Sequence, residues 1–371
     1  MNRSFVPVLF FVVALVLAWP RLQPLPAPNF VLTPTAASRP DAAGNAKSPF
    51  LPRFGATAHA VTLARADNGK VIAAWFSGSR EGAQDVAIVS STLSEGVWST
   101  PRVVVDPAIV ERDSLRIVRK VGNPLLWRDE QNVLHLWFVS VSYGGWAGSA
   151  INHMESIDNG IRWSKCERIV VSPFWNLSTL VRNPPIALLD GGVAVPAYHE
   201  FLNKRPEWLR FDAHMMLVDR VRVPDSARML QPAVTPFGSQ EAIMVLRDAG
   251  EAHRIQSSRT SNGGAVWQPT SATSIDNPNS AIAMIRLHDG SLLLACNPQA
   301  SNRNRLAVLR STDQGDHWSE PHVIEQGDEN DEFSYPALLQ DDAGEVHLAY
   351  TWKRQTIKHM IVSRDIIMGL R

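Results

Sequence analysis

An eight-residue pattern returns along this chain, and its spacing limits what the chain can fold into. The stretches "SIDNGIRW" (156–163), "TSNGGAVW" (260–267) and "STDQGDHW" (311–318) share four positions: Ser or Thr, then Asp or Asn, then Gly, then Trp. A weaker copy, "STLSEGVW", ends at Trp98. Successive Trp residues lie 65, 104 and 51 apart, so the middle interval holds a decayed copy near residue 215. A period near 50 residues predicts a repeat architecture, in which each unit buries its apolar face against the next.

A second repeat agrees. Six segments run from turn residues into a short apolar strand: "NGKVIAAWF", "QNVLHLWF", "GGVAVPAYH", "SQEAIMVL", "DGSLLLACN" and "AGEVHLAYTW". Anchored at Gly69, Asn132, Gly192, Gln240, Gly290 and Gly344, they are spaced by 63, 60, 48, 50 and 54 residues. Each follows another strand: "TAHAVTLA", "GNPLLWR", "NPPIALL", "QPAVTPF", "SAIAMIRL" and "SYPALLQ". Turn residues next to short apolar runs are strand signals. Six copies of a four-stranded unit predict an all-β fold, a six-bladed β-propeller over residues 51–371. The opening pattern then falls on the turn between the third and fourth strands of a blade. There Asp or Asn folds back on its backbone, Gly takes a positive φ and Trp plugs the space between blades, a structural role.

Ahead of the repeats, Arg3 precedes an uncharged apolar run, Phe5–Trp19. Fifteen residues are short for a membrane span and fit a signal peptide or an uncleaved signal anchor over residues 1–20. The expected location is therefore exported, periplasmic or at the cell envelope, with a possible tether to the inner membrane through residues 5–19. Residues 21–50, rich in Pro, Ala and Ser, read as a linker. The 36 basic and 36 acidic residues cancel, which gives no electrostatic case for a nucleic-acid partner. Two cysteines, Cys166 and Cys296, are too few for a disulfide framework and are expected as free buried thiols. No metal-ligand spacing and no glycine-rich phosphate loop occurs, so no metal and no cofactor is expected.

The turns are Asp boxes. With six blades of about 50 residues, the chain resembles the sialidase (neuraminidase) superfamily, in particular its bacterial BNR-repeat members. The resemblance covers roughly residues 50–371. It implies an exported exo-α-sialidase-type glycoside hydrolase acting on a terminal acidic sugar, as a monomer, with an acidic glycan or sialoglycoconjugate as partner. Asp boxes specify the fold more strongly than the activity.

In a propeller, the starts of the innermost strands and the loops between second and third strands rim one mouth. Inner-strand starts contribute His59, Asn123, Arg182, Asn183, Gln231, Asn277, Asn279 and Tyr335. The loops contribute Arg80, Glu81, Asp85, Tyr198, His199, Glu200, Arg247, Asp248, Asn297, Arg303, Lys353, Arg354, Lys358 and His359. Arginines facing one cavity suit a carboxylate, which a guanidinium binds through two parallel hydrogen bonds.

The resemblance assigns roles one residue at a time. Tyr335, in "FSYPALL", is similar to the sialidase nucleophile. Glu200 is its base, with Glu332 as second choice, and Asp85 resembles the acid/base, with Glu81 nearby. Arg182, Arg247 and Arg354 are candidates for the carboxylate. Sialidases open with an arginine on the first inner strand, whereas this strand reads "ATAHAVTL" and offers His59. Two alternatives therefore stand beside hydrolysis: a lyase or other glycosidase on a uronic-acid glycan using His59, His199 or Tyr335, and a non-catalytic glycan-binding propeller.

Overall fold

The computed structural model describes residues 12–13, 26–32, 48–172 and 176–370. Six antiparallel sheets follow one another in chain order, each running from an inner strand outwards. Blade 1 begins with Thr57–Arg65 and blade 2 with Lys120–Arg128. Blade 4 begins with Met229–Pro236, blade 5 with Ala283–Arg286 and blade 6 with Phe333–Gln340. In blade 3 the inner strand is broken into Thr179–Val181 and Ile186–Ala187, both paired with Val193–His199. The break holds Pro184 and Pro185, which have no N–H to offer a ladder.

The second strands, such as Val71–Gly78 and Leu134–Val141, are buried along their whole length. Strands covered on both faces read as continuous apolar runs, which is why these six segments stand out in the sequence. The core is correspondingly divided into clusters between blades. Trp137, Val139, Leu180 and Val195, for example, join blades 2 and 3.

The Asp-box turns are built as their residues dictate. Ser156 Oγ donates to Asp158 Oδ1 (2.9 Å) and accepts from Gly160 N, while Asp158 Oδ1 accepts from Arg162 N (2.8 Å). The same bonds recur around Thr260 and Asn262, and around Ser311 and Asp313. Gly160, Gly264 and Gly315 take φ of 79°, 83° and 90°. The decayed copy keeps the central carboxylate: Asp212 Oδ1 accepts from Met216 N at 2.9 Å, the same four-residue span.

Sheet 6 has three strands of its own, Phe333–Gln340, Val346–Trp352 and Thr356–Val362. Its outer edge is covered by the start of the propeller chain. His359 N donates to Pro49 O (2.7 Å) and Leu51 N to Ile357 O (3.0 Å), with Phe50 opposite Lys358. Residues 49–51 therefore close the ring as a fourth strand from the other end of the chain.

Residues 26–32, expected as linker, are also part of the packed body. Phe30 is buried with Leu188, Trp208, Val234 and Trp267, and its N–H donates to Ser239 O (2.7 Å). Val31 N donates to Ala187 O, and Leu189 N to Asn29 O. The strap crosses blades 3 and 4 on the face that carries the Asp boxes, where it meets Gly263. A cavity of about 400 Å³ opens on that same face, lined by the ends of the inner strands and by Val31 and Leu32.

Candidate active site

Backbone kinks in the inner strands shape the mouth. Pairing with the second strand shifts register between His59 and Thr62, Gly122 and Leu125, Leu230 and Ala233, and Ser334 and Ala337. In each gap one residue takes a left-handed conformation: Ala60, Asn123, Gln231 and Tyr335, with φ of 54°, 46°, 52° and 53°. Asn279 ahead of the blade 5 strand does the same, at 55°. A bulge lifts one residue out of the ladder and re-aims its side chain. Left-handed backbone costs roughly 1–2 kcal/mol per non-glycine residue, so it persists only where surrounding contacts hold it.

These side chains form one network that draws on blades 2 to 6. Asn123 Nδ2 donates to the Tyr198 hydroxyl at 3.0 Å, and Gln231 Nε2 donates to it at 3.4 Å. Gln231 Oε1 accepts from Arg247 Nη1 (3.1 Å), and Asn279 Oδ1 accepts from Arg247 Nε (2.6 Å). Arg247 Nη1 also donates to the Tyr335 hydroxyl at 3.4 Å. Blade 1 supplies His59, whose ring lies 4.2 Å from that of Tyr335. Arg247 thus points its donors at neutral oxygens and at the phenol, and it forms no ion pair within 4 Å among the described residues.

Arg182, expected at the mouth as a carboxylate ligand, lies beneath its floor. It is buried, and its guanidinium donates to Val61 O (3.1 Å) and Pro336 O (2.8 Å), tying blade 3 to blades 1 and 6. Burial lowers its pKa to about 10, and its charge sits 5.4 Å from the centre of the Tyr335 ring. Asn183 is a second brace, donating to Gln231 O and Pro232 O behind the blade 4 bulge. Asn277 holds Ser280 in a local turn, and Asn297 donates to Phe333 O (2.8 Å) in blade 6.

Arg303, Arg354 and Lys353 are paired with acids on the rim. Glu332 accepts from Arg354 Nε at 2.6 Å and from Arg303 Nη1 at 3.2 Å, and Arg354 Nη1 reaches Glu81 at 3.1 Å. Burial alone would raise the Glu332 carboxyl; bonds from Arg354 and Ser334 and the two guanidinium charges bring it down to about 2. Lys353 pairs with Asp331 at 2.9 Å. Arg80 is exposed on the loop beside Asp85. Both oxygens of Asp85 are taken by Ser79, its amide and its hydroxyl, each at 2.9 Å. Those bonds hold the Asp85 carboxyl below its ordinary range.

The "YHE" run divides, because neighbours on a strand face opposite ways. Tyr198 is buried against Asn123 and Gln231. Burial raises the Glu200 carboxyl, against the pull of Lys204, Arg247 and Lys120. His199 instead faces the Arg205–Glu207–Arg220 cluster on the other side of the blade; burial lowers it, and its Nδ1 has no partner. His59 is buried too, with Nδ1 unpartnered, and burial pulls it down to about 3. Asp248 accepts from Gly250 N, and Lys358 pairs with Glu325.

Two wall residues carry no sequence signal of their own. Trp146 lies against the backbone of Gly122, where a Cβ would come within 2.7 Å of the indole. Lys120 sits 4.2 Å over the same ring. Burial lowers its pKa, against the pull of Glu81 and Glu200.

Metal-type ligands cluster elsewhere. His135, His153 and Glu155 form one group, and Asp341, Glu345 and His347 another. Neither group is at the mouth. His135 Nδ1 lies 3.0 Å from His153 Nε2, and its Nε2 lies 3.1 Å from Asp129. His347 repeats this with His359 and Asp341, and the His359 ring meets Trp98 of blade 1. Each set is a hydrogen-bonded ladder across the strands of a single blade, blade 2 for His135 and His153 and blade 6 for His347 and His359.

The architecture and mouth define a six-bladed propeller with an arginine–phenol centre. Residues 69–348 match the BNR repeat-like domain family, and the chain belongs to it. No curated protein sequence matches the chain. Among solved structures, the Hadza microbial sialidase Hz136 is similar over 85% of this chain and 66% of its own, at 16% identity and a TM-score of 0.71. This chain therefore spans just under two thirds of that sialidase. A leech intramolecular trans-sialidase is similar over 85% of this chain and 69% of its own, at 12% identity and a TM-score of 0.69. A Dyadobacter fermentans protein of unknown function matches over 84% of this chain and 96% of its own, with 15% identity and a TM-score of 0.67. At these identities the likeness is one of fold.

Proposed function

We propose that the chain is an exported glycosidase of sialidase type that acts on a terminal acidic sugar. The observation that carries this reading is Arg247, a cation at the mouth held by Asn279 and Gln231 and touching the Tyr335 hydroxyl. A substrate carboxylate would replace neutral acceptors with a charged one, roughly doubling the strength of each bond. Arg303 and Arg354 face the same mouth and hold Glu332 between them.

In this reading Tyr335 Oη forms a bond to the anomeric carbon as the bond to the leaving oxygen breaks, the phenol proton passes through a carboxyl to that oxygen, and water then displaces Oη from the anomeric carbon and returns a proton to it, with overall retention. The phenol must lose a proton. Arg247 Nη1 lies 3.4 Å from the hydroxyl and the Arg182 guanidinium 5.4 Å from the centre of the ring. Proton transfer falls to Glu200, whose raised carboxyl suits an acid/base at neutral pH better than that of Asp85. Asp85 shapes the blade 1 loop through Ser79.

One observation favours elimination on a uronic acid as a second reading. No carboxylate hydrogen-bonds Tyr335 among the described residues, while a neutral His59 ring packs on it. The His59 ring would then take the proton beside a carboxylate held by Arg247 while the Tyr335 hydroxyl gives its proton to the leaving oxygen as the C–O bond breaks. Hydrolysis of a sialic acid aryl glycoside supports the first reading. Appearance of an unsaturated, ultraviolet-absorbing uronide without such hydrolysis supports the second.

The apolar run Phe5–Trp19 directs export, and while attached it tethers the propeller to a membrane.

A further inference from the structure

The strap fixes where the N-terminal end of the chain leaves the propeller. Phe30 is 2% exposed and lies edge-on to Trp208 at 6.4 Å. Pro26 O accepts from Arg210 (3.2 Å) and Asn29 Oδ1 from Gln240 (2.9 Å), so the strap is held from Pro26 onwards. It lies on the Asp-box face, opposite the mouth. Trp19, the last residue of the apolar run, is only seven residues before Pro26. A fully extended chain of that length reaches about 25 Å, much less than is needed to pass around a propeller to its other face.

The turns of that face on blades 2 to 4 carry exposed apolar tips. Ile157 is 85% exposed, Ile161 66%, Leu189 65%, Met216 65% and Val266 48%. Leu189 and the Asp-box turn of Val266 flank the strap directly. The turns of blades 2 and 3 carry Asp129, Asp158, Asp190 and Asp212 beside these tips, whereas the corresponding turns of blades 5 and 6 carry Asp289, Asp313, Asp316, Asp341 and Asp342 with no exposed large apolar residue among them. The mouth side also exposes Leu115 and Leu202, so exposure alone does not choose a face. The strap does.

We propose that the Asp-box face of blades 2 to 4 rests on a lipid bilayer, with the mouth directed away from it. The inference extends the membrane tether proposed above. Apolar turn tips enter the boundary between headgroups and acyl chains, the acidic turns of blades 5 and 6 stay in water, and the mouth meets glycans on the far side.

The test uses the full chain with vesicles of phosphatidylethanolamine and phosphatidylglycerol. Single variants Ile161→Cys, Met216→Cys, Leu202→Cys and Leu115→Cys are labelled with an environment-sensitive fluorophore. The native Cys166 and Cys296 are buried thiols that burial keeps protonated, so they leave the label to the new site. On vesicles, the labels at 161 and 216 are expected to shift to the blue, to be quenched by nitroxide-bearing lipid and to lose quenching by iodide. The labels at 202 and 115 keep their iodide quenching. Co-sedimentation with lipid quenching at 202 or 115, or at none of the four, overturns the orientation and leaves the tether standing. Absence of co-sedimentation overturns both. A blue shift at 161 and 216 without vesicles, at rising protein concentration, overturns the proposal in favour of a second copy of the chain. All these outcomes are read without enzymatic activity.

Discussion

Tyr335 and Arg247 meet across the mouth although 88 residues separate them in the chain. With Tyr335 as the nucleophile, Tyr335→Phe should lower kcat by about 10³-fold or more while leaving KM for the acidic sugar nearly unchanged. Arg247→Ala should act chiefly on binding: loss of a charge-assisted contact of roughly 1.5–3 kcal/mol raises KM about 10- to 100-fold. Steady-state kinetics of the two variants separate these roles. Some residues are legible in the sequence as types and not as positions. "RNPP" shows a polar strand start, but no sequence pattern states that the Arg182 guanidinium turns under the floor to bind backbone carbonyls. His199 follows Tyr198 in the chain, yet the two-residue period of a strand sends it to the opposite side. Lys120 and Trp146 give no signal because the glycine that lets them approach, Gly122, looks like any other glycine in a strand.

Repetition makes the blades readable. Each Asp box encodes one turn with its own side-chain bonds, so its identity survives without tertiary context, and the copy at Asp212 survives on a single carboxylate. The bulges are not readable in this way. Ala60, Asn123, Gln231 and Tyr335 share no residue type, because each is held in the left-handed region by neighbours rather than by its own preference. The strap is hidden for a similar reason: its Pro-rich composition reads as linker, while its packing rests on the buried ring of Phe30. Phe30→Ala should lower stability by about 3 kcal/mol, the cost of emptying a buried aromatic site. Urea unfolding of the full chain checks this, and the mouth's activity should survive the change. The ring closure at residues 49–51 predicts a second effect. Pro in place of Leu51 removes the N–H that bonds Ile357 O and should lower the unfolding midpoint by opening the edge of blade 6.

Across the propeller, buried histidines set an acid limit. His59, His153 and His359 are each drawn down to about 3 by burial, while in the unfolded chain they titrate near 6.5. Between those values the unfolded state binds more protons than the folded one, so stability is fully present above pH 6.5 and falls as pH drops towards 3. Glu332, drawn from 4.5 to about 2, adds a further loss below 4.5 by the same sign. Thermal midpoints should therefore decline through this window, and His153→Gln should flatten the part between pH 6.5 and 3. Unfolding monitored by tryptophan fluorescence across the window reads both effects. Activity at low pH is bounded by this loss of the fold as well as by the chemistry of the mouth.

Cleavage of an acidic sugar through Tyr335 is the function proposed for this mouth. It is read most directly as release of methylumbelliferone from its sialic acid glycoside by the purified chain and by its Tyr335→Phe variant. The expected result is turnover by the native chain that vanishes in the variant, with binding of the sugar retained. Equal turnover in both proteins, or no release by the native chain, would contradict it.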